Sequence, residues 1–394
     1  MPHKAPVVSA CHGTSSLTSS SPLARMHQFM GRPLVKVLAL SALALAAQGL
    51  GGCSSELAPR NTHAPISGEG DISTFFYQLL LYLDIAIMVV VAAIWAYALV
   101  KFKRREGDDT LPPQNHGNMK LEVIWTAIPT LIVIGTTVPM LAGVFTLSKR
   151  PDANTRVVEV DVTGKQWWWE FDYKNDIAAG LHTANELHVL VNTTMHLNMT
   201  SADVIHAWWV PRLGGKRDAT PGRNYPMFVT PREVGIYDGQ CAELCGASHA
   251  LMGTKLVVHA LDKETEVEYP QGSGKKVKIE SYNSWVKANL ADAAKPASAE
   301  IEKGAKLFSE KTCATCHIVK GQFDTAIRAA TSGPNLSHVG SRMTIAAATL
   351  PNSVENLQKW IGKPSAIKPG SKMPDLGLTP DEAKAIATYL YSLK

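Results

Sequence analysis

The chain is 394 residues long, 45% hydrophobic, and carries 39 Lys and Arg against 34 Asp and Glu, a formal net charge of +5. That length permits two or three domains. The charge is spread along the chain, with no basic stripe interleaved with base-stacking aromatics, which excludes nucleic acid as a partner.

In chain order, residues 1–52 read as a presequence. Residues 1–25 are rich in Ser and Thr and lack an apolar run, which makes Met26 or Met30 candidate starts. Residues 33–47 are apolar and small, with Arg25, Arg32 and Lys36 before or within their start, the pattern of a signal peptide rather than of a spanning helix. The run continues into Leu50, Gly51, Gly52 and Cys53, which looks like a bacterial lipobox with Cys53 as the lipidated first residue of the mature chain. A plain signal peptide or an uncleaved anchor is the alternative. Residues 53–74 then form an exported N-terminal segment.

Residues 75–150 read as a transmembrane hairpin. The apolar stretches 75–100 and 121–145 each exceed the roughly 20 residues that a 30 Å hydrocarbon core requires. Between them Lys101, Lys103, Arg104, Arg105 and Lys120 place the connecting loop in the cytoplasm, so both ends of the hairpin face the periplasm. Pro129 and Pro139 bend the second helix but are tolerated in lipid. Asp84 is a helix-to-helix polar contact or a functional carboxylate.

Residues 151–262 alternate β-rich runs such as RVVEVDVTG and TKLVVHA with turn residues, as in a β-sandwich. Trp167, Trp168, Trp169, Phe171 and Tyr173 form an aromatic run on one strand, and strand alternation sends some of these rings to the core and some to the surface. The segment CAELCGASHALM brings Cys241, Cys245, His249 and Met252 close together, and His206 lies upstream in DVIHAWWVP. Thiolate, imidazole and thioether are soft or borderline donors that favour copper; a structural zinc would take four ligands and leave Met252 idle. A buried cysteine pair with incidental histidines is the plainer possibility.

Residues 263–297 read as an insertion and linker, beginning with a charged stretch that has a hairpin turn at 272–274 and ending in ADAAKPASAE, a flexible Ala/Pro tether. Residues 298–394 contain Cys313, Ala314, Thr315, Cys316 and His317, a CxxCH haem-attachment motif. Two cysteines on a metal and two on haem leave Cys11 and Cys53, so no disulfide is required.

The stretch 204–252, with DVIHAWWVP, PGRNYPMF and YDGQCAELCGASHALM, resembles subunit II of the haem-copper cytochrome c oxidases. The resemblance implies a cupredoxin-like Greek key whose binuclear CuA centre is bridged by Cys241 and Cys245. His206 and His249 would each bind one copper, Met252 would be a weak axial ligand, and the Glu243 carbonyl would serve the other copper. It further implies magnesium on the Glu243 carboxylate at the border with subunit I, and Trp167 as the electron inlet. Trp168 stands where the family often has tyrosine. Glu122 aligns with a glutamate that marks the cytoplasmic mouth of a proton channel in subunit I, and Asp203 with a position used in cytochrome c docking.

The order GAKLFSEKTCATCH, SGPNL, PGSKMPDLGLTPDEAKAIATYLYSL resembles the small soluble class I cytochromes c. It implies an all-α domain in which Met373 opposes His317 on the iron and raises its potential, with Met343 the rival thioether. It also implies that the Pro334 carbonyl accepts the His317 Nδ1 proton. Together these imply a multidomain membrane protein, a caa-type oxidase subunit II fused to its own cytochrome c. Its expected partners are subunits I and III, membrane lipid, and cytochrome c or another periplasmic donor; its site is the bacterial inner membrane. Quinol oxidase subunit II lacks the copper ligands. The inlet of a CuA-type nitric oxide reductase and a free membrane-tethered electron carrier are the alternatives.

Overall fold

The computed structural model describes residues 60–394 apart from 104–106, 108–110, 112, 115 and 325–332. Cys11, Cys53, the signal segment and the loop residues Arg104 and Arg105 lie outside the described residues.

The described residues open with two long helices, α1 (Gly68–Lys101) and α2 (Met119–Ser148), both long and apolar enough to cross a membrane. Ser67 caps α1 by accepting from Gly70 N at 2.9 Å, and Glu69 and Asp71 in the first turn complement the helix dipole. Asn118 caps α2 in the same way, and Pro129 and Pro139 sit inside it without ending it. The helices approach closely at Gly143, where a Cβ would stand 2.5 Å from Phe76 Cε2, as small residues allow at helix contacts in lipid. Asp71 receives a two-pronged ion pair from Arg232, at 2.7 and 3.0 Å, which ties the head of α1 to the β domain.

That domain contains β1 (Val157–Lys165), β2 (Trp168–Tyr173), β3 (His182–Ala184), β4 (Glu186–Leu190), β5 (Thr194–Ser201), β6 (His206–Trp209), β7 (Arg217–Ala219), β8 (Tyr225–Val229), β9 (Gly235–Cys241) and β10 (Gly253–His259). They form two five-stranded sheets, ordered β3-β2-β1-β5-β8 and β4-β10-β9-β6-β7, packed as a sandwich. β5 alternates buried and half-buried residues throughout, as a strand with one face on the core must. β10 is buried at all seven positions, because Val257 on its outer face packs with Ile236 and Ile279 and against Met343.

The aromatic run departs from expectation. Trp167 lies outside β2, and Trp167, Trp168, Trp169, Phe171 and Tyr173 are all buried. Alternation still operates, but the outward face at Trp168 is covered by Ala347 of the C-terminal domain. None of the five rings faces solvent.

The predicted turn at 272–274 joins β11 (Thr265–Glu268) to β12 (Lys276–Ile279). After it, α3 (Tyr282–Leu290) adds Tyr282, Trp285 and Val286 to the sandwich core. The Ala/Pro tether is not free: Ala293 is buried and donates its N–H to Lys320 O at 3.0 Å, and Gln322 Nε2 donates to Ala294 O at 2.8 Å. These backbone anchors hold the linker on the C-terminal domain.

The C-terminal domain is built from α4 (Ala299–Glu310), α5 (Val354–Gly362), the single turn α6 (Pro364–Ile367) and α7 (Pro380–Ser392), with one two-residue strand pair. Thr379 and Glu382 form a reciprocal capping box at the start of α7. Gly304 lets α4 cross α7, since a Cβ there would stand 2.2 Å from Ala385 O. Phe308, Leu357, Ile361, Ile386 and Tyr389 fill the core of this domain.

Candidate functional site: a soft-donor metal pocket facing a haem-type cavity

β9 ends on Cys241 and β10 starts after Met252, and Cys241 N donates to Met252 O at 2.9 Å, so the ladder clips both ends of the loop that carries the donors. His206 opens the neighbouring β6. Cys241 Sγ lies 3.8 Å from Cys245 Sγ, 4.0 Å from His206 Nδ1 and 3.3 Å from the Glu243 carbonyl. Cys245 Sγ lies 3.5 Å from His249 Nδ1 and 3.9 Å from Met252 Sδ. Two sulfurs at the centre, each flanked by one imidazole, with a thioether at one end and a carbonyl at the other, suit two soft ions bridged by both thiolates. A tetrahedral zinc would leave part of this set unused. His206, Cys241, Cys245 and Met252 are all buried.

The surroundings orient these donors. A Cβ at Gly164 would stand 2.8 Å from His206 Cδ2, so glycine is what gives that ring its place. Asp203 Oδ1 holds His206 Nε2 at 2.9 Å, leaving Nδ1 turned toward the sulfurs. Burial disfavours charge on His206, but Cys241 and Asp203 outweigh it and raise its pKa. The cysteines share one easily lost proton: the hydrogen bond from Cys245 stabilises a Cys241 thiolate, and that charge pushes the Cys245 thiol up. Burial pushes Asp203 up as well, yet Lys372, His206 and the Gln166 and Val204 amides bring it down to about 2.

A cavity in the C-terminal domain is lined by Cys313, Cys316, His317, Gly333, Pro334 and Met373. His317 Nδ1 donates to Pro334 O at 2.8 Å, which fixes the tautomer and leaves Nε2 for an iron. A Cβ at Gly333 would stand 2.5 Å from His317 Cε1. Burial lowers the His317 pKa, so the ring stays neutral, as a ligand must. Met343 does not line the cavity; it packs beside Ile236, Val257 and Ile279. Two cysteines, a presented imidazole and a thioether in one apolar cavity fit haem c.

The two sites meet at Trp167. Its Nε1 donates to Cys245 O at 3.1 Å, joined there by Gln166 Nε2 at 2.8 Å, and its far ring edge abuts the loop before Met373: a Cβ on Gly370 would stand 2.8 Å from Trp167 Cη2. Gln166, Trp167 and Trp168 also line the haem-type cavity. Glu243 is exposed beside Leu244, itself 78% exposed. Glu122 is remote from both sites, in the first turn of α2, where its Oε1 accepts from Asn118 N at 3.2 Å. Sequence reading missed Lys368 and Lys372, which bond to Trp167 and Asp203 across the domain boundary, and Glu186, which bonds to the Met343 and Thr344 amides there. Lys372 carried a signal, since it adjoins Met373; buried charges on an interface leave none.

A soft-donor pocket suited to copper and a cavity suited to haem c, joined by one indole in a chain with two membrane-length helices, define a membrane-anchored electron-transfer subunit. Family models agree in each part: "Cytochrome C oxidase subunit II, transmembrane domain" matches residues 64–142, "Cytochrome C oxidase subunit II, periplasmic domain" residues 178–261, and "Cytochrome c" residues 301–394. The chain is 35% identical over 312 residues to cytochrome c oxidase subunit 2 of Alkalihalophilus pseudofirmus, covering 78% of this chain and 83% of that one. It is 33% identical over 371 residues to the subunit of that name from Bacillus subtilis, covering 89% and 96%. Quinol oxidase subunit 2 of Bacillus spizizenii is 32% identical over 273 residues, covering 68% and 76%. The chain belongs to the cytochrome c oxidase subunit II family, with a cytochrome c domain fused at its C-terminal end.

Proposed function

We propose that His206, Cys241, Cys245, His249 and Met252, with the Glu243 carbonyl, hold binuclear copper, and that Cys313, Cys316, His317 and Met373 hold haem c. The chain is subunit II of a haem-copper cytochrome c oxidase, carrying electrons from cytochrome c through its own haem c and CuA toward subunit I. When bound, the two centres supply one-electron transfer in which no bond is made or broken and no proton moves. The residues of the chain do the rest: Asp203 and Pro334 orient the histidines, and the β9–β10 ladder fixes the thiolates. The reading is carried by the Trp167 indole, bonded to the Cys245 carbonyl on one side and abutting the Met373 loop on the other, which makes it the inlet to copper.

Finer parts belong to the same reading. The exposed Glu243 carboxylate offers magnesium a ligand at the border with subunit I, and the exposed Leu244 beside it suits a covering partner surface. Glu122, at the loop end of α2, serves the mouth of a proton channel there. Subunit III, lipid attached through Cys53, and an inner-membrane location with both soluble domains periplasmic complete it. The copper donor set favours a cytochrome c donor over a quinol.

Optical and electron paramagnetic resonance spectra of the purified complex test this. A c-type α-band and a mixed-valence signal shared by two coppers are expected. A single-copper hyperfine pattern, or an α-band that survives His317→Ala unchanged, sinks the assignment.

A further inference from the structure

Among the described residues, the contact between the haem and copper domains buries an ionisable side chain from each side. Lys368 of the haem domain is 4% exposed, and its Nζ donates to the Trp167 carbonyl of the copper domain and, at 3.1 Å, to the Ala346 carbonyl. Glu186 of the copper domain is 2% exposed, and its Oε1 accepts from the Met343 and Thr344 amides of the haem domain at 2.9 and 3.1 Å and from Thr344 Oγ1 at 3.4 Å. A buried charge is costly unless it is hydrogen-bonded. Lys368 keeps the Ala346 carbonyl and Glu186 keeps His188 Nε2 at 3.8 Å within its own domain, and the rest of each side chain's bonding comes from the other domain. Burial pushes the Lys368 ammonium down to about 7, the mark of a group held out of water.

The backbone between these anchors is strained in the same place. Ala346, Ala347 and Ala348 are consecutive non-glycine residues in the left-handed region, with φ of 51°, 58° and 59°. Their turn fits the copper domain: Ala347 O accepts from Gly253 N at 2.9 Å, and the Ala347 side chain packs on Trp168. Strain of this kind persists where surrounding contacts over-determine it, and it clusters at functional positions. On the other flank Ser248, next to His249, donates its hydroxyl to Pro369 O at 2.7 Å.

We propose that Lys368 and Glu186 are positioning residues for transfer between haem c and CuA: Lys368 reaches across to the Trp167 carbonyl and Glu186 across to the Met343 and Thr344 amides, and this reciprocal clamp fixes Trp167 between the two centres. The proposal rests on the cofactor assignments above. Because both charges regain water when the domains part, the clamp selects one pose without demanding a permanent apolar seal. It works through Trp167 rather than on the cofactors.

Lys368→Met and Glu186→Gln in the full chain within the assembled oxidase test it, with two readouts. Deuterium exchange at the Met343 and Thr344 amides is expected to rise about tenfold or more, while α4 and α7 amides keep their protection. Electron arrival at CuA after rapid reduction of haem c is expected to slow about tenfold, with both centres keeping their spectra and Lys368→Arg restoring part of the rate. Unchanged exchange and unchanged transfer in either folded variant overturn the clamp. If Lys368→Met fails to fold, Glu186→Gln decides on the same readouts. An unaltered complex lacking the copper or haem signals overturns the cofactor assignment instead, and the exchange measurement, which needs neither cofactor, still decides the clamp.

Discussion

Asp203 holds two jobs whose energies differ, and Asp203→Asn separates them. One carboxylate oxygen fixes His206 Nε2 at 2.9 Å, with the ring fully buried; the other receives Lys372 Nζ at 2.8 Å, with the lysine side chain 50% exposed. The exposed ion pair is worth at most about 1 kcal/mol. The orienting bond to a metal-ligating imidazole is worth about 10- to 100-fold in metal affinity, or about 1.4 to 2.7 kcal/mol. Asparagine keeps the shape and one acceptor for the Gln166 or Val204 amide, but supplies no charge to steady His206 or Lys372. Copper affinity, measured by competition with a chelator of known affinity, should therefore fall about 10- to 100-fold in Asp203→Asn. Lys372→Met removes only the ion pair and should leave that affinity within about twofold. Equal losses in both variants would refute the division, because the lysine does not touch the ring; no loss in either would refute the orienting role.

Gly333→Ala places a methyl 2.5 Å from His317 Cε1, and the ring must shift off the Pro334 carbonyl; a changed haem α-band and a loss of about 1 to 3 kcal/mol in stability are expected from spectra and thermal melts. Met373→Leu should lower the haem c potential and alter its spectrum, whereas Met343→Leu, in the cluster with Val257 and Ile279, should leave both unchanged. His259, buried between His188 Nδ1 and the Glu280 carbonyl, has its pKa pushed by burial down to about 3. A lowered histidine pKa means that the unfolded chain takes up the proton first. The contribution is then complete above about pH 6.5 and is lost as pH falls from there toward 3, up to about 5 kcal/mol. Acid unfolding followed by tryptophan fluorescence should shift to lower pH in His259→Phe, at a cost of about 1 to 3 kcal/mol near neutrality for the unpaired His188 and Glu280 groups.

Most of the site was legible because its chemistry is local. Cys241, Cys245, His249 and Met252 lie on one loop clipped by one ladder bond, and CxxCH with its helical flanks is a contiguous motif. His206 is distant in sequence but sits on the strand paired with β9, so the topology of the sandwich delivers it. The Pro-bounded loop favours Met373 over Met343; Met373 lines the same cavity as His317, and Met343 packs elsewhere. The membrane helices were legible from length and composition alone, since every exposed apolar face there needs lipid rather than a partner strand.

The readings that departed from the structure, and the residues that went unread, fall largely on one surface. Alternation sends part of the aromatic run to the surface and the Ala/Pro tether reads as flexible, whereas Trp168 and the tether are covered or anchored by the haem domain; the unread Glu186 is buried against that domain, and the unread Lys368 of that domain against the copper domain. Periodicity reports which face of an element is buried within its own domain and carries no information about a second domain laid on the other face. A strand such as β10, continuous in burial where its sheet alone would give alternation, marks a covered outer face, here covered by Ile279 and Tyr269 of the insertion and by Met343. Held through Lys368, Glu186 and Ser248, the haem domain of this subunit is not a loosely tethered donor. Asp203, which the resemblance places at a cytochrome c docking position, is already taken by Lys372, one residue before Met373. An external donor must then deliver to haem c by a face other than the one that meets Trp167.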